Sequence, residues 1–257
     1  AGMALGGKIP FISSYATFSP GRNWEQIRTT IAYNDVPVKI IGSHAGISVG
    51  PDGATHQALE DIALMRALPN MIVVSPADSI EAKKATQAIA RLAGPCYMRL
   101  SRDKVPVITT EQTPFEIGKA EIYYDPSAGS GRADVAVIAT GQMVYRALQA
   151  AKLLELHKIA VRVINCHTIK PLDKDTILKA AEECGAVVTV EEHQIHGGLG
   201  SAVAEVLSQN FPVPLKIIGI EDRFGESGEP NELLKKFGLT KENIIKAVTQ
   251  TLRMKNK

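Results

Sequence analysis

Two kinds of hydrophobic pattern alternate along the chain. Strand candidates rich in apolar residues stand at residues 36–42 (VPVKIIG), 70–77 (NMIVVSPA), 95–102 (PCYMRLSR), 134–141 (DVAVIATG), 160–166 (AVRVINC), 186–192 (AVVTVEE) and 215–222 (LKIIGIED). The first of them is a continuous apolar run, as expected of a parallel strand covered on both faces. Between them lie segments with apolar residues at helical spacing: 23–34, 56–69, 79–94, 143–157, 172–184 and 198–210. In the first of these, Trp24, Ile27, Ile31 and Ala32 share one stripe. Residues 8–16 form a further short strand candidate, and Ser79 stands where a helix cap is expected. Residues 232–238, ended by Gly238, and 241–254, capped by Thr240, predict two closing helices. The start, AGMALGGKIPF, reads as the tail of a helix whose beginning is missing and lacks the basic start of a signal peptide.

Strand–helix alternation of this kind predicts an α/β protein, with two α/β domains and mostly parallel sheets. The pattern weakens between residues 103 and 133, where prolines, glycines and serines gather, and a domain boundary is expected there. We place it between 118 and 119, giving domains 1–118 and 119–257.

Composition narrows the partners. The 257 residues are 45% hydrophobic, and 29 Lys and Arg balance 27 Asp and Glu. A net charge of +2, with no block of like charges, does not suggest nucleic acid or an anionic membrane. No apolar run reaches the roughly 20 residues needed to span a bilayer. Cys96, Cys166 and Cys184 are scattered and sit in or beside apolar runs. They read as small buried hydrophobes of a reducing, cytoplasmic setting rather than as a zinc or redox motif.

Chemistry concentrates in the stretch SHAGISVGPDGATHQ, residues 43–57, between the second strand and a helix. It holds His44, Asp52 and His56 on one glycine-loosened loop. In parallel sheets ligands collect at the carboxyl ends of the strands, and TFSPGR and LSRDK leave neighbouring strands at the same end. Imidazoles and a carboxylate there can bind hydroxyls or phosphates and move protons near neutral pH. The histidine spacing does not suit a metal centre, and none is expected. Arg99 and Arg102 stand at a strand end, where a lone arginine is usually a solvated charge; with His44 on a neighbouring loop, Arg102 becomes a phosphate contact, since guanidinium forks grip phosphate. The glycines of HGGLGS miss the G-x-G-x-x-G pattern at Val203 and read as packing glycines. His193 and His196 read as surface or interface residues, and the adjacent Glu191 and Glu192 should point to opposite faces of their strand.

The segment SHAGISVGPDGATHQALEDIALMRALPNMIVVSPAD, followed by LSRDKVP and preceded by IPFISSYATF, resembles the pyrimidine-binding domain of transketolases. Residues 133 to about 255 resemble the transketolase C-terminal domain. The resemblance implies a thiamine-diphosphate-binding fold and transfer of a two-carbon ketol unit between phosphorylated sugars. It implies that Tyr15 and Phe18 hold the aminopyrimidine ring, with Arg22 nearby, and that Gly21 stands where the family often has a third aromatic. Asp52 and His56 take the catalytic positions, Asp52 also meeting a sugar hydroxyl, and His44 and Arg102 the terminal phosphate. The family's diphosphate- and Mg2+-binding module is not in this sequence, and the carboxylate that bonds the aminopyrimidine would precede Ala1. An N-terminal transketolase subunit carrying that module is therefore expected as partner, with the chain inactive alone and prone to self-association. Deoxyxylulose-phosphate synthase, the β subunit of an oxo-acid dehydrogenase and a non-catalytic assembly module are the alternatives.

Overall fold

The computed structural model describes residues 1–126 and 132–256. Its strands, in chain order, are β1 (Phe11–Tyr15), β2 (Lys39–Ser43), β3 (Ile72–Val74), β4 (Cys96–Arg99), β5 (Glu121–Tyr124), β6 (Val135–Ala139), β7 (Val161–Asn165), β8 (Thr168–Lys170), β9 (Val187–Gln194) and β10 (Leu215–Ile220). The described residues form two five-stranded sheets, ordered β1-β2-β4-β3-β8 and β10-β9-β6-β7-β5. Every neighbouring pair is parallel except β3 with β8 and β5 with β7. The helices are α1 (Gly2–Leu5), α2 (Trp24–Gln26), α3 (Asp61–Arg66), α4 (Ser79–Ala90), α5 (Met143–Glu155), α6 (Lys174–Cys184), α7 (Leu199–Asn210), α8 (Pro230–Lys236) and α9 (Lys241–Lys255). All residues of β6 and β7 are buried, as unbroken apolar runs in a sheet covered on both faces must be. The expected pair of mostly parallel α/β sheets is what the chain forms.

The two halves are joined by more than a linker. β8 comes after the first three strands of the second sheet's sequence, yet it completes the first sheet by pairing antiparallel with β3. Ser75 N donates to His167 O at 2.8 Å, and Gly141 N donates to Ser75 O at 3.2 Å, so the end of β3 is bonded on both sides to the later half. A three-residue strand with no period of its own left no readable signal. β5 escaped for the same reason: four residues at a sheet edge, within the region that reads as irregular.

Local chemistry moves three other features. Residues 27–32 continue α2 as a π-helical turn rather than an α-helix. α3 begins only at Asp61, because Ala58 bridges to Ala45 and the preceding residues belong to the loop. The cap of α4 is Asp78, not Ser79: its Oδ1 accepts from Glu81 N at 2.9 Å. Asp78 also accepts from Ile108 N and Thr109 N at 2.7 Å and from Thr109 Oγ1 at 2.8 Å, tying the segment beyond β4 to the helix. Burial pushes its pKa up, but the hydrogen bonds from Glu81, Thr109 and Ile108 outweigh that and hold it below the ordinary value. A depressed carboxylate stabilises the fold above its unfolded pKa and loses that contribution as pH falls through the folded value. Asp78→Ala should therefore lower stability by about 2 kcal/mol at pH 7. The gap between the two urea denaturation curves should narrow below about pH 4.

The three cysteines are free and buried, as expected of small hydrophobes. Burial pushes the Cys96 and Cys166 thiols up to about 12 and that of Cys184 up to about 11, far from the thiolate a reactive cysteine needs.

Candidate functional site

The parallel arrangement of β1, β2 and β4 points their carboxyl ends the same way. The turn after β1 is closed by Phe18 N and Ser19 N donating to Tyr15 O at 2.8 and 2.9 Å, which returns Phe18 beside Tyr15. β2 ends at Ser43, whose hydroxyl donates to Ser14 O at 3.1 Å, and the chain then swings away at His44, with φ +53°. β4 delivers Leu100 and Arg102, and Ala45 N donates to Leu100 O at 3.1 Å. Three loops that are distant in sequence thus meet at one edge.

Four rings gather there. His44 stacks on Tyr15 with centroids 4.0 Å apart and planes 8° from parallel. Phe18 lies 6.1 Å from Tyr15 at 19°, and His56 meets both edge-on, at 5.9 and 5.4 Å. The Arg22 guanidinium covers Phe18 at 4.8 Å. Tyr15 and Phe18 therefore each keep at most one face for a ligand. That suits a flat heteroaromatic ring, which prefers offset stacking or edge contact. A Cβ at Gly21 would lie 2.0 Å from Thr17 O, so this turn admits no third aromatic side chain there.

The polar groups flank the rings. Thr55 Oγ1 engages His56 Nδ1 at 3.0 Å and so orients the imidazole. His44 Nδ1 lies 3.1 Å from Ser43 Oγ. Burial and the nearby Arg102 lower the His44 pKa, against a smaller opposite pull from Asp52, so the ring is neutral at pH 7. Arg102 donates to Val49 O at 2.5 Å and stands 3.5 Å from Asp52 Oδ1. Both side chains of that pair are about a third exposed, so the attraction is weak and easily exchanged for a ligand anion. Among the described residues no cluster of three or more His, Cys, Asp or Glu side chains is arranged to hold a metal ion.

All seven residues singled out from the sequence thus stand at this edge: Tyr15, Phe18 and Arg22, then His44 and Asp52, then His56 and Arg102. Two side readings change. His193 is wholly buried, not on the surface: its Nε2 accepts from Ala63 N at 3.3 Å, across the junction of the two halves. Arg99 is buried too, bonded to Asp61 at 2.9 Å. Glu191 and Glu192 do point apart, and what they reach could not be read from their types. Glu191 accepts from Leu199 N and Gly200 N at 2.7 and 2.8 Å, so the start of α7 is occupied by the chain's own carboxylate where a phosphate would bind. A Cβ at Gly200 would stand 2.5 Å from Ile217 Cγ2, which makes it a packing glycine, as expected. Of the residues that support the loop, Gln57 belongs to the motif, whereas Gln142 and Glu192 lie far from it in sequence and carried no signal.

Comparison with known proteins shows the family. Residues 1–107 match the family model "Transketolase, pyrimidine binding domain" and residues 129–244 match "Transketolase, C-terminal domain". The chain is 41% identical over its whole length to the 6-deoxy-6-sulfo-D-fructose transketolase subunit SqwH of Clostridium sp. (strain MSTE9), covering 78% of that protein. It is 39% identical to a subunit of the apulose-4-phosphate transketolase of Phocaeicola vulgatus, over 98% of this chain and 79% of that one. Among solved structures, one described as "Split gene transketolase, inactive beta4 tetramer" superposes with a TM-score of 0.91 at 44% identity, covering 99% of this chain and 80% of that chain. On the matched sequence, the shared fold and the loop motif together, the chain belongs to the transketolase family.

Proposed function

We propose that the chain is the C-terminal part of a split transketolase, which moves a two-carbon ketol unit between phosphorylated sugars. It works with an N-terminal subunit that holds the diphosphate of thiamine diphosphate and its Mg2+. Residues 1–118 are the pyrimidine-binding unit and 119–257 the C-terminal one. The observation that carries this reading is the meeting of the Tyr15 and Phe18 rings with His44, His56, Asp52 and Arg102 at the carboxyl ends of β1, β2 and β4. When bound, thiamine diphosphate supplies the nucleophilic carbon that the transfer needs. Tyr15 and Phe18 hold its aminopyrimidine against their open faces, with Arg22 bracing Phe18. His56 gives and takes protons at sugar oxygens, and Asp52 accepts a sugar hydroxyl. His44, neutral, and Arg102 bind the sugar's terminal anion.

A sheet edge that no described strand pairs supports the need for a second chain. β1 closes one side of its sheet with Phe11 41% and Ile12 37% exposed, beside exposed Met3, Leu5 and Ile9. Apolar surface of this kind favours association, with a partner or another copy. The related structure's description as an inactive β4 tetramer fits a chain that self-associates and does no chemistry unaided. Among the described residues no helix is long and apolar enough to cross a membrane. Three free, buried thiols suit a reducing, cytoplasmic setting.

The test is single turnover with xylulose 5-phosphate and ribose 5-phosphate, using the chain mixed with the N-terminal subunit, thiamine diphosphate and Mg2+. Ketol transfer by the mixture, and none by the chain alone, is the expected result. Consumption of pyruvate in place of ketol transfer would reject the reading. Arg102→Ala should raise KM for phosphorylated donors about tenfold or more and leave unphosphorylated analogues nearly unchanged. Equal losses on both would remove Arg102 from the phosphate role.

A further inference from the structure

The loop that carries Asp52 and His56 is gripped from the other half of the chain. Ser48 N donates to Glu192 Oε1 at 2.7 Å, and Glu192, on β9, is only 3% exposed. Gln142, which precedes α5, donates its amide to Ser48 Oγ at 2.8 Å and to Glu192 Oε2. Gly46 turns with φ +91°, and a Cβ there would stand 2.4 Å from Glu192 Cδ, so the carboxylate occupies the space a side chain would need. The loop's far end is tied as well. Gln57 Nε2 donates to Ile47 O and Gly50 O, at 3.2 and 3.3 Å, and to Glu226 O at 2.9 Å. A Cβ at Gly53 would lie 2.5 Å from Ser227 Oγ, and one at Gly225 only 1.7 Å from Gln57 Oε1.

Loops that carry chemistry usually depend on a rigid support for their geometry. Here the support is a buried carboxyl group, both of whose oxygens accept hydrogen bonds; burial raises its pKa, against the opposite pull of Arg99 and of the bonds from Ser48 and Gln142. Burying a carboxylate is costly unless it is bonded, so Glu192 is held to its partners as firmly as they are held to it. Its main-chain oxygen also accepts from Arg99 Nη2 at 2.7 Å, which fixes the strand that presents it.

We infer that Glu192 is a positioning residue, whose carboxylate sets the shape of residues 46–57 and through it the placement of Asp52 and His56. This gives the C-terminal half a part in the site without contact to the reacting atoms. What the loop does for substrate rests on the transketolase reading; that Glu192 holds it does not.

The experiment compares the full-length wild-type chain with Glu192→Ala, Glu192→Gln and Gln142→Ala. Amide hydrogen exchange is followed in the chain by itself, and kcat and KM in the complex with the N-terminal subunit. In Glu192→Ala, exchange across 46–57 should rise about tenfold or more, with β6 and β7 still protected. In the complex, kcat should fall about tenfold while the apparent affinity for thiamine diphosphate stays within about twofold. Glu192→Gln keeps an acceptor for Ser48 N, and the Gln142 amide can reverse to meet it, so it should stay within about threefold of wild type on both readouts. Should Glu192→Ala fail to fold, Gln142→Ala, which leaves the carboxylate in place, should raise loop exchange about threefold. Unchanged exchange across 46–57 in the variant that folds would overturn the inference. So would loss of protection spread evenly over the chain, which marks Glu192 as a fold-stabilising group only. If the wild-type complex transfers no ketol unit, the functional reading fails, and the exchange measurement still decides the case of Glu192.

Discussion

His56→Ala should lower kcat of the assembled enzyme by about a hundred- to ten-thousandfold, the range over which a positioned proton donor or acceptor contributes. His56 is half-buried, its Nδ1 is engaged by Thr55, and its ring stands edge-on to Tyr15 and Phe18. It makes no buried ion pair and fills no core cluster, so its removal should leave the melting temperature nearly unchanged. KM for the donor should change far less than kcat, because a group that handles protons acts mainly in the transition state. Tyr15→Ala separates proton handling from cofactor seating. It removes the ring between His44 and the ligand, so it should weaken thiamine diphosphate binding first and recover activity at high cofactor concentration. If His56→Ala behaves in that way instead, the imidazole is a wall of the pocket and not a proton carrier.

The loop was legible in the sequence because its chemistry is local. His44, Asp52 and His56 lie within thirteen residues at the end of an apolar run, and glycines mark the turns between them. The parallel sheet was legible for a similar reason: a run such as 135–139 has no polar face to show, and only a doubly covered strand tolerates that. What stayed hidden depends on partners far away in sequence. Glu192 reads as one of two strand acids, and nothing in its neighbours says that it bonds Ser48, 144 residues earlier. β8 is three residues long and takes its identity from β3, so no window of sequence contains the reason for it. Arg99 illustrates the same limit. An arginine in an apolar run looks like a solvated charge until Asp61 and the carbonyls of Ala58 and Glu192 are brought around it.

That buried arrangement leads to the largest expected effect on stability. Asp61→Ala should destabilise the chain by about 3–5 kcal/mol, the range found when one partner of a buried ion pair is removed. Asp61 Oδ2 accepts from Arg99 Nε at 2.9 Å and from Tyr97 OH at 2.7 Å, and all three side chains are buried. Deleting the carboxylate removes the nearest counter-charge of a buried guanidinium and the acceptor of a buried phenol hydroxyl. Tyr97 is wholly buried and packed so tightly against β2 that a Cβ on Gly42 would stand only 2.1 Å from its hydroxyl, and Arg99 is 6% exposed. Urea denaturation at pH 7 measures the loss. Because the pair is expensive to bury as well as to break, the double variant Asp61→Leu with Arg99→Met should recover much of it. Recovery of global stability should not restore the loop, however. Arg99 Nη2 also donates to Glu192 O and Ala58 O, joining the first sheet to the strand that presents Glu192. The double variant should therefore unfold near the wild-type urea midpoint and yet show faster hydrogen exchange across residues 46–57. A double variant that matches wild type in both measurements would show that Arg99 contributes packing alone, and that Glu192 holds its place without it.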